Sequence, residues 1–193
     1  MKNQTLNFDQ LNHFFQRLDE EATAQVMKPL SFIIIGSAVL IQHGMPDRTT
    51  NDIDFWKTTQ HHHDILKKLA DKVGISFNPQ QYSEDEPYLQ WVAPDFVHMP
   101  PTHEWVNELL PVWSGTCITI QSPPIGIMVG SKLAVGREQD LIDIHYITSK
   151  YPEWKESLEH WIPYFSNEDQ EIIQDNLILI EMYSRQQSKT PKA

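Results

Sequence analysis

Cationic side chains are scarce in this chain: 15 Lys and Arg stand against 26 Asp and Glu, a formal net charge of −11 over 193 residues. A surface of that sign repels phosphate backbones and anionic headgroups. It excludes broad binding to duplex DNA or to a membrane and leaves only a local basic patch for any nucleic-acid contact. Cysteine is almost missing. With Cys117 alone there is no internal disulfide, which suits a reducing compartment, and its setting between Thr116 and Ile118 reads as a buried structural thiol rather than a nucleophile. No apolar run approaches the ~20 residues of a membrane span, and the first eleven residues lack the apolar stretch of a secretory leader. The expectation is a soluble, cytoplasmic protein. The seven glycines form no Gly-rich phosphate loop with its Lys, and there is no G-x-S-x-G, CxxC or HExxH pattern. His61, His62 and His63 are consecutive, so on a helix they diverge by about 100° each and cannot converge on one ion.

What is present is ample material for a core: 40% of the residues are apolar, with six Trp and eight Phe. The length suits one large domain, or one domain with an appended helical piece. Apolar positions Leu11, Phe14, Phe15, Leu18, Ala22 and Val26 have helical spacing and predict an amphipathic helix over 8–26. The β-branched run 32–35 predicts a buried strand, followed at once by Gly36-Ser37 and a short helix over 38–43 that Gly44 closes. A polar loop leads to a strand over 52–56, a helix over 61–73 stopped by Gly74, and a short strand over 75–77. Residues 88–99 read as a bent strand or hairpin interrupted by Pro94-Asp95, 102–110 as a helix between prolines, and 116–120 as a strand. Ser122-Pro123-Pro124 signals a helix entry. From there follow one or two helices to Ile147, broken near Gly136, and two more over 153–161 and 167–185. The fold class expected is α/β (α+β): a small mixed sheet with flanking helices over 1–122, and a helical C-terminal part over 123–193 packed on it as one unit.

Two clusters carry chemistry. In Asp52-Ile53-Asp54-Phe55, strand alternation puts both carboxylates on one face and both apolar side chains on the other. Two carboxylates held side by side repel, which suits a divalent cation between them, because hard cations take oxygen ligands. Gly36 lets backbone come close to a ligand, and Ser37 opens a helix whose first N–H groups favour an anion. The competing view of the acids is a strand end meeting water or Arg48. The second cluster is Lys132, Arg137, Asp140 and Asp143. On a helix Asp140 and Asp143 share a face, with Arg137 three residues before Asp140. It reads either as a solvated face with ordinary ion pairs or as a phosphate-neutralising Lys132 braced by its neighbours.

Gly36-Ser37, Arg48-x-Thr50-x-Asp52-Ile53-Asp54 and Lys132-x4-Arg137-x2-Asp140-x2-Asp143 together resemble the DNA polymerase β-type nucleotidyltransferase superfamily, in the branch of AbiEii-like toxins of bacterial abortive-infection toxin–antitoxin systems. The resemblance covers residues 31–56 and 122–147. It implies that Asp52 and Asp54 hold Mg²⁺ (or Mn²⁺), and that Gly36, Ser37, Arg48, Thr50, Lys132 and Arg137 serve a nucleoside triphosphate, with Asp140 and Asp143 supporting Lys132. It also implies a third carboxylate on a later strand. The strand candidates there carry His98 and Thr119 instead, and Asp95 is the nearest acid. The expected activity is transfer of a nucleoside monophosphate to a hydroxyl of RNA (tRNA in the toxin-like precedent), a protein or a small molecule, with a cognate toxin or antitoxin as a protein partner. The alternative is a catalytically degenerate fold kept as a nucleotide-sensing or protein-binding module. An antitoxin-like partner, acidic against a basic toxin, is a third expectation.

Overall fold

The computed structural model describes residues 5–81, 86–94 and 97–187. Contacts divide the chain into two compact units, Met1–Phe96 with Glu108–Pro123, and Val97–Asn107 with Pro124–Ala193.

In the first unit α1 (Phe8–Ala24) begins where Asn7 caps it. The Asn7 side chain accepts from the Gln10 N–H at 3.0 Å, and the Gln10 side chain accepts from the Asn7 N–H at 2.9 Å. Its buried residues Leu11, Phe14, Phe15, Leu18 and Ala22 form one stripe, the pattern that predicts the helix. There follow β1 (Leu30–Ile35), α2 (Ser37–Gln42), β2 (Asp52–Trp56), α3 (Gln60–Val73), β3 (Ser76–Phe77) and β4 (Tyr88–Val92). After an excursion into the second unit the chain returns for β5 (Leu110–Ser114) and β6 (Ile118–Ser122). The six strands form one mixed sheet in the order β3-β4-β2-β1-β6-β5. β2 runs antiparallel to β1 and parallel to β4, while β6 is parallel to β1 and antiparallel to β5. Phe32, Ile34, Ile53 and Phe55 are buried together, with the Phe32 and Phe55 rings edge to face at 5.8 Å and His62 of α3 against Phe32 at 5.6 Å. His63 instead meets Phe77 and Trp91, so the consecutive histidines do part company as helix geometry requires.

Asp19 ties α1 to the turn before β6. Its carboxylate accepts the backbone N–H groups of Thr116, Cys117 and Ile118 at 2.7–2.8 Å. Burial pushes this acid up, but the three donors outweigh it and hold Asp19 below the ordinary carboxylate value. A Cβ on Gly115 would sit 2.3 Å from that carboxylate, so only glycine admits the contact.

The second unit is helical: α4 (Thr102–Trp105), α5 (Ile125–Val135), α6 (Glu138–Lys150), α7 (Trp154–Trp161) and α8 (Asn167–Gln187). α5 is apolar nearly all round and packs against α6, α7 and α8, as a helix without a polar face must. At Gly126 a Cβ would lie 2.2 Å from the Ser157 carbonyl oxygen, which sets how closely α5 and α7 meet. The segment 97–107 joins this unit through the buried Trp105, whose indole donates to the Pro100 carbonyl, and through His98 Nδ1, 2.6 Å from Asp169. Among the described residues no helix is long and apolar enough to cross a membrane.

The α/β class and the mixed sheet agree with expectation, and two local readings change. The helix expected over 102–110 ends at Trp105, and Leu110–Ser114 is a strand despite Pro111. β5 lies at the sheet edge, where a missing N–H costs no ladder bond, so proline is tolerated there. Of the bent strand or hairpin expected over 88–99, residues Tyr88–Val92 form β4, paired in parallel with both β2 and β3, and residues 95–96 lie outside the described residues.

Candidate functional site

β1 ends at Gly36, which adopts φ 70° and ψ −148°, a region that a side chain disfavours. A Cβ at Gly36 would lie 2.9 Å from Asp54 Oδ2. Glycine is therefore demanded twice, by the turn and by the carboxylate packed beside it. Ile35 and Asp54 are partners in the antiparallel β1–β2 pair, which is why the turn and the acid meet. Along β2 Ile53 and Phe55 are fully buried, while Asp52 and Asp54 project to the other face and are half-buried.

The two acids are treated differently. Thr50 donates its hydroxyl to Asp52 Oδ1 at 2.5 Å. Thr50 itself is buried, and its backbone N–H and carbonyl both pair with Leu6, so the donor is firmly placed. Asp54 accepts no hydrogen bond from any described residue. Burial first, and the charge of Asp52 second, push its carboxyl up to about 7. Arg48 reaches Ser37, donating from Nη2 to the hydroxyl at 2.5 Å and from Nη1 to the Thr49 carbonyl at 3.1 Å. The Arg48–Ser37 contact braces the loop before β2 against the start of α2. The first unit thus gathers Gly36, Ser37, Arg48, Thr50, Asp52 and Asp54 around one end of β1 and β2.

Lys132, Arg137, Asp140 and Asp143 gather in the second unit. Lys132 Nζ donates to Asp143 Oδ2 at 2.6 Å and to Asp140 Oδ1 at 3.2 Å. Arg137 Nε donates to Asp140 Oδ2 at 2.8 Å, and Gln139 donates to Asp143 Oδ1 at 3.1 Å. Both carboxylates are buried, and Lys132 nearly so. Burial alone would raise Asp140, but Arg137 and Lys132 outweigh it and hold the carboxyl below its ordinary value. This is no solvated helix face. It is a charge-balanced knot joining α5 to α6, with both acids and Lys132 enclosed and Arg137 closing it from the exposed side, and the cationic end of Lys132 is already shared between two anions.

Asp95 lies outside the described residues. Among the described residues no group of three or more His, Cys, Asp or Glu side chains is placed to hold a metal ion. Two polar residues went unread in the sequence. Asp19 has no motif, because its partners are backbone groups almost a hundred residues away. Gln90 is the registered partner of Asp54 across β2–β4, a neighbour that only the strand pairing reveals.

The family model described as nucleotidyltransferase of unknown function (DUF6036) matches residues 12–150, more than half of the chain. The chain belongs to that family. The matched region contains both clusters, from Gly36 through Asp143. Among solved structures, the chain is similar to an antigenic nucleotidyltransferase-like protein from Paracoccidioides brasiliensis, with a TM-score of 0.52 over 91% of this chain and 90% of that one. At 13% identity the likeness is one of fold. No curated protein matches this member of the family in sequence.

Proposed function

We propose that this protein transfers a nucleoside monophosphate from a nucleoside triphosphate to a hydroxyl acceptor. In such a transfer the acceptor oxygen bonds to the α-phosphorus, the bond to pyrophosphate breaks, pyrophosphate leaves with the electron pair, and the hydroxyl proton passes to solvent. The observation that carries the reading is Asp54. It shares a strand face with Asp52, is backed by Gly36, has no hydrogen-bond donor among the described residues and is pushed up to about 7. A carboxylate so placed has electrostatic use for a cation that the described protein does not supply.

The donor set fits a hard divalent ion such as Mg²⁺ or Mn²⁺, with Asp52 and Asp54 as oxygen ligands. Such an ion, when bound, would neutralise charge on the phosphates and orient them. The remaining roles belong to the chain. Thr50 holds one oxygen of Asp52 so that the other is free to face a ligand. Gly36 keeps the space beside Asp54 clear of side chain, and Arg48 and Ser37 hold the phosphate-side turn. Lys132, tied to Asp140 and Asp143, acts by bracing α5 on α6, with Arg137 completing the brace. RNA is the acceptor class we favour, and a place among AbiEii-like toxins follows from the Arg48-x-Thr50-x-Asp52-Ile53-Asp54 pattern together with Lys132 and its acids. The site would act in the cytoplasm.

A second reading has one observation in its favour: no third acid joins the pair among the described residues. On that reading the fold binds a nucleotide, or a protein, without transferring anything. Thermal melts with Mg²⁺ or Mn²⁺ and a panel of nucleoside triphosphates, followed by transfer assays with labelled nucleotide and RNA, separate the two. Transfer is expected to require the metal and to vanish in Asp54→Asn. Metal-dependent nucleotide stabilisation without transfer to any acceptor would favour the binding module, and no stabilisation by any pair at millimolar concentration would remove the nucleotide reading altogether.

A further inference from the structure

Gln90 stands next to Asp54 in the sheet. β2 and β4 run parallel, with Asp52 opposite Tyr88, Asp54 opposite Gln90 and Ile53 opposite Leu89. Registered residues on parallel strands project to the same face, on strands about 4.8 Å apart. Burial agrees with that parity, because Ile53 and Leu89 are both fully buried whereas Asp54 and Gln90 are both half-buried. The side chain of Gln90 is one methylene longer than that of aspartate, so its amide can extend past the carboxylate beside it. That amide has no hydrogen-bond partner among the described residues. By contrast the backbone of the next residue, Trp91, is taken by the Asn78 side chain at 2.7 Å. Two polar side chains without hydrogen-bond partners among the described residues, one a carboxyl and one an amide, therefore lie side by side on one sheet face.

We propose that Gln90 supplies a third side-chain oxygen to the divalent cation that Asp52 and Asp54 would hold, which rests on the reading of that pair as a metal site. Hard cations accept amide carbonyl oxygens as readily in kind as carboxylates, though with less charge behind them. Two carboxylates already balance a divalent ion. A third acid at position 90 would place another negative charge beside Asp54, which has no hydrogen-bond donor among the described residues. A neutral amide adds a ligand and orientation without that repulsion. The consequence is a site of moderate affinity, because ligand charge count sets the strength of such sites.

The test uses Mn²⁺ alone as the probe, with free Mn²⁺ counted by electron paramagnetic resonance in titrations of the full chain. Its variants Gln90→Ala, Gln90→Glu and Asp54→Asn are measured beside it, together with metal-free thermal melts of all four proteins. Gln90→Ala is expected to weaken Mn²⁺ binding roughly three- to tenfold with little change in the metal-free melt, and Gln90→Glu to tighten it about tenfold by adding ligand charge. Gln90→Glu is also expected to melt lower without metal at pH 8, since three carboxylates then share one face. Unchanged Mn²⁺ affinity in both position-90 variants, while Asp54→Asn loses binding, overturns the role of Gln90 and leaves the acidic pair as the metal site. A lowered metal-free melt in Gln90→Ala with unaltered Mn²⁺ affinity also overturns it, because Gln90 is then a packing residue. Failure of the parent chain to bind Mn²⁺ overturns both.

Discussion

Asp52 and Asp54 sit two apart on a strand, and Asp140 and Asp143 sit three apart on a helix, so each pair shares a face by the period of its own element. Their surroundings are opposite. The helical pair is enclosed and matched by Lys132 and Arg137, charge for charge, and Asp140 is held below its ordinary value as a result. The strand pair has no matching cation among the described contacts and one hydroxyl donor for Asp52, and burial then leaves Asp54 pushed up to about 7. Carboxylates whose counter-charge is built into the chain hold helices together. Carboxylates whose counter-charge is missing are those for which a ligand cation has something to do.

The largest effect should come from breaking the balanced pair. Lys132→Met leaves Asp143 without its nearest cation in a buried place, and a broken buried ion pair costs about 3–5 kcal/mol. Urea denaturation should show that loss even without nucleotide. A change below about 1 kcal/mol would mean that the knot is not structural and would return Lys132 to the role of a phosphate ligand.

Asp19 is a third way to satisfy a buried acid, with backbone donors in place of a cation. Asp19→Ala should cost about 2–3 kcal/mol, since charged hydrogen bonds are lost and three N–H groups are left with no acceptor. Its folded pKa is depressed, so its contribution is present above the unfolded value of 3.8 and is lost as pH falls through the folded one. Parent and variant should therefore converge in stability in strong acid, and a difference that stays constant to the lowest pH would contradict the assignment.

The unbalanced pair should respond with the opposite sign. Asp54 has a folded pKa of about 7 against 3.8 unfolded, so its contribution to stability is present below the lower value and is lost as pH rises towards 7. Without metal, Asp54→Asn should match the parent near pH 4 and exceed it at pH 8, by about 1 kcal/mol once solvent screening is allowed for. The same variant should lose the stabilisation that Mn²⁺ and a nucleoside triphosphate confer on the parent. Equal melts at pH 8 would show that the repulsion is relieved within the chain.

The last effect, read in metal affinity rather than in stability, concerns Thr50. Thr50→Val keeps the shape but removes the hydroxyl that orients Asp52, and loss of such a supporting contact lowers metal affinity by about tenfold. Thr50→Ser should restore it. Loss of stability without loss of Mn²⁺ affinity would make Thr50 a packing residue only.

Much of the fold was legible because it depends on local period. The apolar run of β1, the alternation in β2 and the stripes of α1 and α3 announce themselves within ten or fifteen residues. β5 did not, because Pro111 argues against a strand wherever an N–H is needed, and only its place at the sheet edge removes that need. For the site, the positions of Gly36, Asp52 and Asp54 could be anticipated from strand and turn geometry. The contacts that Arg48 makes with Ser37, and Thr50 with Asp52, needed the loop to be folded.

The sequence by itself determined which residues could share a face, because side-chain direction follows from backbone period and needs no knowledge of neighbours. It thereby put both acid pairs in place and brought Arg137 within reach of Asp140. Tertiary structure alone decided what stands across from each acid: a lysine for Asp143, backbone N–H groups for Asp19, and Gln90 for Asp54. Those partners come from strand register and helix packing between segments far apart in the chain, and burial then sets how strongly each charge feels them.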